Sequence, residues 1–259
     1  MAHKLYDNFI LANKINDMLE SKINIRNFMT IDNSLAEDAG MKKIINRYSY
    51  NGGVETLGMG EGNTTAGEVS FTTEEYVAET TQGHFFYYDE QAMADPMVVE
   101  VAMYGQATAM TNEMVNRYFE ELDKATLKQT YTKFTYDTVV DAIALMNIEE
   151  ESGLFLVVGN DLKATLRKDS DFKASQMGEI LYNGQIGTIC GVPIVVSRAV
   201  PTGVAYLATK EAITLFTKKD SEVEQTRDAN HRKNDVYMRK VNVIALTDAT
   251  KLVKITKSA

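Results

Sequence analysis

Apolar positions keep helical spacing most clearly between Asp95 and Asp123. Val98, Val101, Ala102, Gly105, Ala109, Val115, Phe119 and Leu122 recur at intervals of three, four and their multiples, and a second row, Val99, Met103, Ala107, Met110, Met114 and Tyr118, runs beside them. The Asp95 carboxylate can accept hydrogen bonds from the first free backbone amides, and Pro96 suits the first helical position because its φ is already set. No other proline and only Gly105 interrupt the stretch. A helix of this length is on the order of 40 Å long, well above the usual three turns. The spacing fits a core helix of one domain or a beam along which other elements are laid.

On either side the patterning is mixed. Leu5, Phe9, Ala12, Ile15, Met18 and Leu19 predict a short amphipathic arm over residues 4–20, which either docks on its own domain or grips a neighbour. Alternation from Ile23 to Ile31 predicts an extended piece, and Asp32 to Gly40 a turn or short helix ended by glycine. Ile44 to Leu57 and Glu68 to Tyr88 read as the outgoing and returning limbs of a long hairpin. Seven of the sixteen glycines lie between Tyr48 and Gly83, most of them at its tip. A two-stranded ribbon standing alone in water is marginal, so this one must lean on its own domain or on another subunit.

After the long helix, Thr126 to Tyr131 reads as a connector, and Thr135 or Asp137 starts a helix with Val139, Val140, Ile143, Ala144 and Ile148 as its apolar side. Glu149 to Glu151 mark its solvated end. Leu154 to Val158 is a buried strand, and Asn160 caps a helix with Asp161 in its first turn and Arg167 and Lys168 in its last, both signs suiting the dipole. Beyond a loop-rich stretch from Asp169 to Gly187, β-like runs follow at Thr188–Ser197, Val204–Ala208, Ile213–Phe216, Glu222–Arg227, Tyr237–Leu246 and Leu252–Ile255. Helices and strands do not alternate regularly, which gives the class α+β.

Composition narrows the function. The 259 residues are 44% apolar and 24% charged, a globular balance. No run of eighteen apolar residues exists, and the first thirty residues mix Lys, Asp and Asn with Leu, Phe and Ile, which excludes a membrane-spanning helix and a secretory signal. A single cysteine, Cys190, rules out an intrachain disulfide and points to synthesis in a reducing cytoplasm. The net charge of −9 is unevenly spread. Residues 55–95 hold nine carboxylates and no lysine or arginine, whereas residues 160–259 hold sixteen basic against eleven acidic side chains. Such an acidic segment repels itself and is best placed against a basic surface.

No catalytic constellation stands out. His3, His84 and His231 are far apart, and no metalloprotease, redox-cysteine or serine-elbow motif occurs. Gly58-Met-Gly60-Glu-Gly62-Asn63 fails as a dinucleotide fingerprint, since Asn63 or Thr65 stands where the third glycine belongs, and Glu61 and Glu68 would repel a phosphate. The acidic stretch lacks the spacing of a calcium loop. A basic stripe with interleaved aromatics, which specific nucleic-acid binding would need, is missing. Neither a metal nor a cofactor is implied.

The order of features nevertheless resembles a known family. An amphipathic arm, a glycine-rich extended loop, a proline-capped long helix, a mixed domain containing Gly191-Val-Pro-Ile-Val-Val-Ser197 and a terminus reading Asp248-Ala-Thr-Lys-Leu-Val-Lys-Ile255 together resemble the tailed-phage major capsid proteins of the Hong Kong 97 fold. The resemblance covers nearly the whole chain. It implies an N-terminal arm at 1–43, an extended loop at 44–90, a peripheral domain with its spine helix at 91–130 and 217–259, and an axial domain at 131–216. It further implies self-assembly into hexamers and pentamers of an icosahedral virion shell, built in the bacterial host cytoplasm around DNA that is packaged without specific recognition. A portal and a separate scaffolding protein are the expected partners, the latter because Met1 stands directly before the arm; a membrane is not. Members that cross-link their extended loop use a lysine, and none lies between Lys43 and Lys124 here, which argues against covalent cross-linking. An encapsulin-like compartment shares the fold, and a soluble α+β enzyme is the alternative from another class. The charge asymmetry adds one expectation: Glu55, Glu61, Glu68, Glu74, Glu75 and Glu79 of the loop face Arg227, Arg232, Lys233, Arg239 and Lys240 of a neighbouring subunit.

Overall fold

In the computed structural model residues 25–258 are described, except 38, 149–152, 171 and 173–186. The predicted arm at 4–20, the Glu149 to Glu151 run and most of the loop at 169–187 therefore lie outside the described residues. Where an extended piece was expected after Ile23, residues Ile25–Phe28 form a 3-10 turn, and only Thr30–Asp32 (β1) is a strand. The turn is favoured because it buries Ile25 and Met29 together, against Val115 and Tyr118. The Tyr118 hydroxyl then donates to the Phe28 carbonyl at 3.3 Å.

A short helix, Ser34–Glu37 (α1), ends before Gly40, whose φ of +115° only glycine adopts freely. Lys42–Asn51 (β2) and Glu68–Val77 (β3) pair antiparallel. The returning limb then breaks at Ala78, and Glu79–Tyr88 (β4) leaves the hairpin to become an edge of a different sheet. The expected hairpin is thus shorter than the 44–90 segment. After Asp89–Ala94 (α2) comes the spine, Met97–Asp123 (α3), 27 residues long. Asp95 Oδ1 accepts from Met97 N at 3.0 Å, the local contact that the acid-proline pair implied.

Leu127–Tyr131 (β5), read from sequence as a connector, is a strand running parallel to the C-terminal one. Exposed Lys128 and Thr130 alternate with half-buried Leu127 and Gln129 and buried Tyr131, the pattern of a strand with one face covered. Tyr136–Met146 (α4) starts from a Thr135/Thr138 capping box and stops at Asn147 in the left-handed region. Leu154–Val158 (β6) is buried throughout. Asn160–Lys168 (α5) follows Gly159, which takes the cap position expected of Asn160. Thr188–Ile189 (β7) and Val192–Val196 (β8) are joined by a tight turn, in which Cys190 and Gly191 both have positive φ, as a two-residue hairpin demands. Then come Val204–Thr209 (β9), Ile213–Asp228 (β10), Lys233–Leu246 (β11), a 3-10 turn at Ala249–Lys251 and Leu252–Lys257 (β12).

The separate runs expected at 213–216 and 222–227 are one strand. Its register shifts between Thr217 and Glu222, where bulges carry the polar Lys-Lys-Asp-Ser run without ending the ladder. Two larger sheets result, ordered β1-β10-β11-β4 and β5-β12-β9-β6-β8-β7. The second draws β5 and β12 from segments that the resemblance gave to the peripheral domain, so the expected boundaries at 131 and 217 do not coincide with the division between sheets. One core cluster packs Val115, Phe119 and Leu122 of α3 between the sheets, against Phe155, Tyr206, Leu215 and Ile244. Another fills the six-stranded sheet beneath α4 and α5. A small third, containing Leu35, Tyr76, Phe216 and Ala245, anchors the hairpin base.

Candidate assembly surfaces

Among the described residues, the β2–β3 hairpin is held at its root. The Arg47 guanidinium donates to the Leu246 carbonyl at 2.6 Å and pairs with Glu74 at 2.7 Å, while Tyr76 is buried in the third core cluster. Further out, pairing sets Tyr48 opposite Phe71 and Tyr50 opposite Val69, on one face with Ile44. These apolar side chains are open to solvent, Tyr48 being 70% and Phe71 63% exposed. Beyond Asn51 the tip is organised by its own polar groups. Glu55 accepts from the Thr64 amide at 3.0 Å, and Glu61 accepts from the Gly58 amide at 3.0 Å.

The spine helix is unevenly covered. Val115, Tyr118, Phe119 and Leu122 are buried, yet no residue from Pro96 to Met114 is. The N-terminal apolar rows are only half-buried or exposed, Met97, Met103 and Tyr104 among the exposed, which fits the beam better than a core helix. Within this half the helix touches β4 closely enough that a Cβ on Gly83 would lie 2.3 Å from Gln106 Nε2. A helix with one charge, Glu100, between Met97 and Asn112 is apolar nearly all round, a composition suited to cover on several sides.

The basic turn between β10 and β11 is already engaged by its own chain. Arg227 binds Asp89 at 2.7 Å, Arg232 binds Glu90 at 2.8 Å, Lys233 binds Asp235 at 2.8 Å, and Arg239 binds Glu222. Lys240 also has an interaction within the chain. On the acidic side Glu74 pairs with Arg47, Glu75 with Lys42 at 2.9 Å and Glu79 with Arg117 at 3.1 Å, while Glu55 and Glu61 serve the tip and Glu68 opens β3. Ion pairs of the described residues join none of these six glutamates to Arg227, Arg232, Lys233 or Arg239. The charge asymmetry along the sequence is therefore satisfied partly inside the subunit, by Asp89, Glu90, Glu222, Arg47 and Arg117, which sequence reasoning did not single out.

Electrostatics follow these contacts. Arg239, then Lys219, lowers the Glu222 carboxyl to about 2, and the Arg227 and Asn234 hydrogen bonds lower Asp89. At the hairpin root the causes are reversed. Burial first, then the charges of Glu121 and Glu74, pushes the Tyr76 hydroxyl up to about 12, and burial raises Glu121 against the opposing pull of Lys124. Cys190 sits in a turn and His84, His231 on exposed surface, the histidines bound to Asp235 and Asp228. Among the described residues no group of three His, Cys, Asp or Glu side chains is arranged to hold a metal ion.

The chain is similar to known capsid proteins. The family model described as phage capsid protein matches residues 72–255. The major capsid protein of Staphylococcus phage phiMR11 is 28% identical, over 96% of this chain and 93% of that protein. A Mycobacterium phage Che8 structure superposes with a TM-score of 0.70 at 18% identity, covering 87% of this chain and 88% of that one. The head structure of Helicobacter pylori bacteriophage KHP40 gives 0.71 at 10% identity, covering 88% and 87%. With a projecting hairpin, a long spine helix and two sheets in the arrangement of the Hong Kong 97 fold, the chain belongs to the phage capsid protein family.

Proposed function

We propose that this chain is the major head protein of a tailed phage, self-assembling into hexamers and pentamers of a closed icosahedral shell around double-stranded DNA. The observation that carries the proposal is the apolar face of the β2–β3 hairpin, open to water in the single subunit and projecting beyond its own core. A hairpin with one uncovered apolar face gains stability when a second copy covers it, and the same holds for the exposed half of α3. The family is a structural one. Neither the encapsulin-like compartment nor the soluble enzyme is favoured by the family match.

In this reading residues 1–43 form the arm, 44–90 the extended loop, 91–130 with 217–259 the peripheral domain and 131–216 the axial domain. Assembly takes place in the host cytoplasm with a separate scaffolding protein and a portal. The glutamates at 55, 61 and 68, which form no ion pair among the described residues, are the members of the acidic set best able to meet a neighbour's basic turn. Reversing Arg232 and Lys233 to Glu should make assembly more salt-sensitive; unchanged shells would remove that pairing. Sedimentation and negative-stain microscopy of the purified chain test the function itself. Megadalton shells are expected, and a chain that stays at 28.9 kDa or a small multiple of it under all assembly conditions overturns the proposal.

A further inference from the structure

We infer that the N-terminal segment, residues 4–20, docks as a helix along one open stripe of its own α3 and covers part of the spine that the two sheets leave bare. The stripe is Met97, Glu100, Tyr104, Ala107 and Thr111, all exposed and spaced three and four apart, so they form a single row on the helix. Gln106 stands on the opposite side of α3, against Gly83 of β4, so the sheet on which the helix rests cannot reach this row. About two turns further on the same row arrives at Tyr118, and there it is covered. Tyr118 is 1% exposed, Ile25 and Met29 pack in its cluster, and its hydroxyl donates to the Phe28 carbonyl. The stretch that closes this end of the row is thus the direct continuation of residues 4–20.

Length, spacing and size agree with that course. As many residues separate Lys4 from Ile25 as separate Met97 from Tyr118, about 31 Å of helix in each case at about 1.5 Å per residue. A helix that reaches Ile25 beside Tyr118 therefore begins beside Met97 and runs parallel to α3. Leu5, Ala12, Ile15 and Leu19 then fall level with Met97, Tyr104, Ala107 and Thr111, at identical intervals. Small residues meet large ones, Ala12 at Tyr104 and Ile15 at Ala107, as interdigitating helices require. Charge agrees as well. Glu100 forms no ion pair among the described residues, and Lys4 comes within one turn of it, whereas Asp7 and Asp17 belong to the far side of the segment's helix.

Of the two courses open to the arm, docking at home or gripping a neighbour, the tether favours the first. Residues 21–24 keep Glu20 within about 18 Å of Ile25, so the stripe of the same chain is always in reach and no second molecule has to be brought up. The flank of α3 that bears Met103 stays open to another copy. The inference concerns the subunit by itself and does not depend on shell formation.

The test uses the full-length chain, unassembled. Dilute peroxide followed by peptide mass mapping compares Met97 with Met59 at the hairpin tip. Their exposures, 41% and 108%, would slow Met97 by roughly a factor of two to three, whereas cover by the segment should slow it about tenfold or more. Ala12→Asp with Ile15→Asp should return Met97 to the smaller factor. In a second variant, Ile15→Cys with Ala107→Cys, mild oxidation should form a disulfide within one chain, distinguished from Cys190 products by mapping. A bond formed only between chains shows that the segment grips a neighbour and overturns the inference. An absent bond overturns it too, even with Met97 slow, because something else then covers the stripe. So does a wild-type Met97 that keeps to the smaller factor, or one that stays slow in the Asp variant.

Discussion

Replacing Tyr48 and Phe71 together by threonine separates the stability of the subunit from that of the shell. The rings face each other across β2 and β3 with centroids 6.0 Å apart, and they are 70% and 63% exposed. Threonine is β-branched and, like the aromatic residues it replaces, is favoured in strands. Inside the subunit the change removes one cross-strand aromatic pair, a loss of about 0.2–1 kcal/mol. In a shell that covers this face, about two-thirds of each ring is still available for burial. With about 1.5–3 kcal/mol for fully burying such a side chain, the pair should contribute about 2–4 kcal/mol per covered hairpin. At about 1.4 kcal/mol per tenfold, the double variant should need roughly thirty to several hundred times more subunit to assemble. The assay is sedimentation across a concentration series, with a thermal melt of the unassembled subunit alongside it. A variant that melts with wild type and assembles at the same concentration would refute the reasoning. One that melts many degrees lower would show instead that the rings hold the subunit together.

Met110→Pro interrupts the half-covered part of α3 and should cost about 3 kcal/mol or more of helix stability; circular dichroism and particle counts should show soluble subunit without shells, and normal particles would remove the beam role. Gly53→Ala places a methyl 2.5 Å from the Gly67 nitrogen and the Thr65 carbonyl, backbone atoms that cannot swing aside, so it should open the neck of the tip at a cost of about 1–3 kcal/mol, read as faster amide exchange from Asn51 and Glu68. The β10–β11 finger should respond to acid in one direction. Arg239, Arg227 and Lys233 lower Glu222, Asp89 and Asp235, so their stabilisation is complete above the ordinary carboxylate range and disappears as pH falls through the folded values, to about 2 for Glu222. Amide protection there should be flat from neutrality to about pH 5 and fall below about pH 4; loss already at pH 6 would contradict this. Glu121 works oppositely. Its raised value favours the folded state at low pH, and that contribution is lost as pH rises through the folded pKa, so Glu121→Gln should flatten the melt-versus-pH curve above about pH 4.

Local chemistry explains why much of the fold was legible. Pro96 and Asp95 marked the start of the spine, the Thr135 box marked α4, and the continuous apolar run Leu154–Val158 marked a buried strand, because caps and periodicity depend only on nearby residues. The errors fell where a distant partner decides. The returning limb runs from Val69 to Tyr88 with no glycine or proline at Ala78 to mark a break, and nothing local tells that β4 will pair with β11 while β3 pairs with β2. Leu127–Tyr131 is too short and polar to announce a strand, and becomes one because β12, about 125 residues later, offers it an edge.

For the surfaces the division is sharper. Sequence alone determined that a long apolar helix, a glycine-tipped hairpin and an acidic segment without internal counter-charge exist, since those are properties of contiguous residues. Only the tertiary structure decided which half of the helix is covered, that Asp89, Glu90 and Glu222 occupy the basic turn, and that Tyr76 and Glu121 meet at the hairpin root. The physical reason is that burial and electrostatics fall off over a few ångströms in space. The spacing of residues along the chain does not record which distant segments will stand that close.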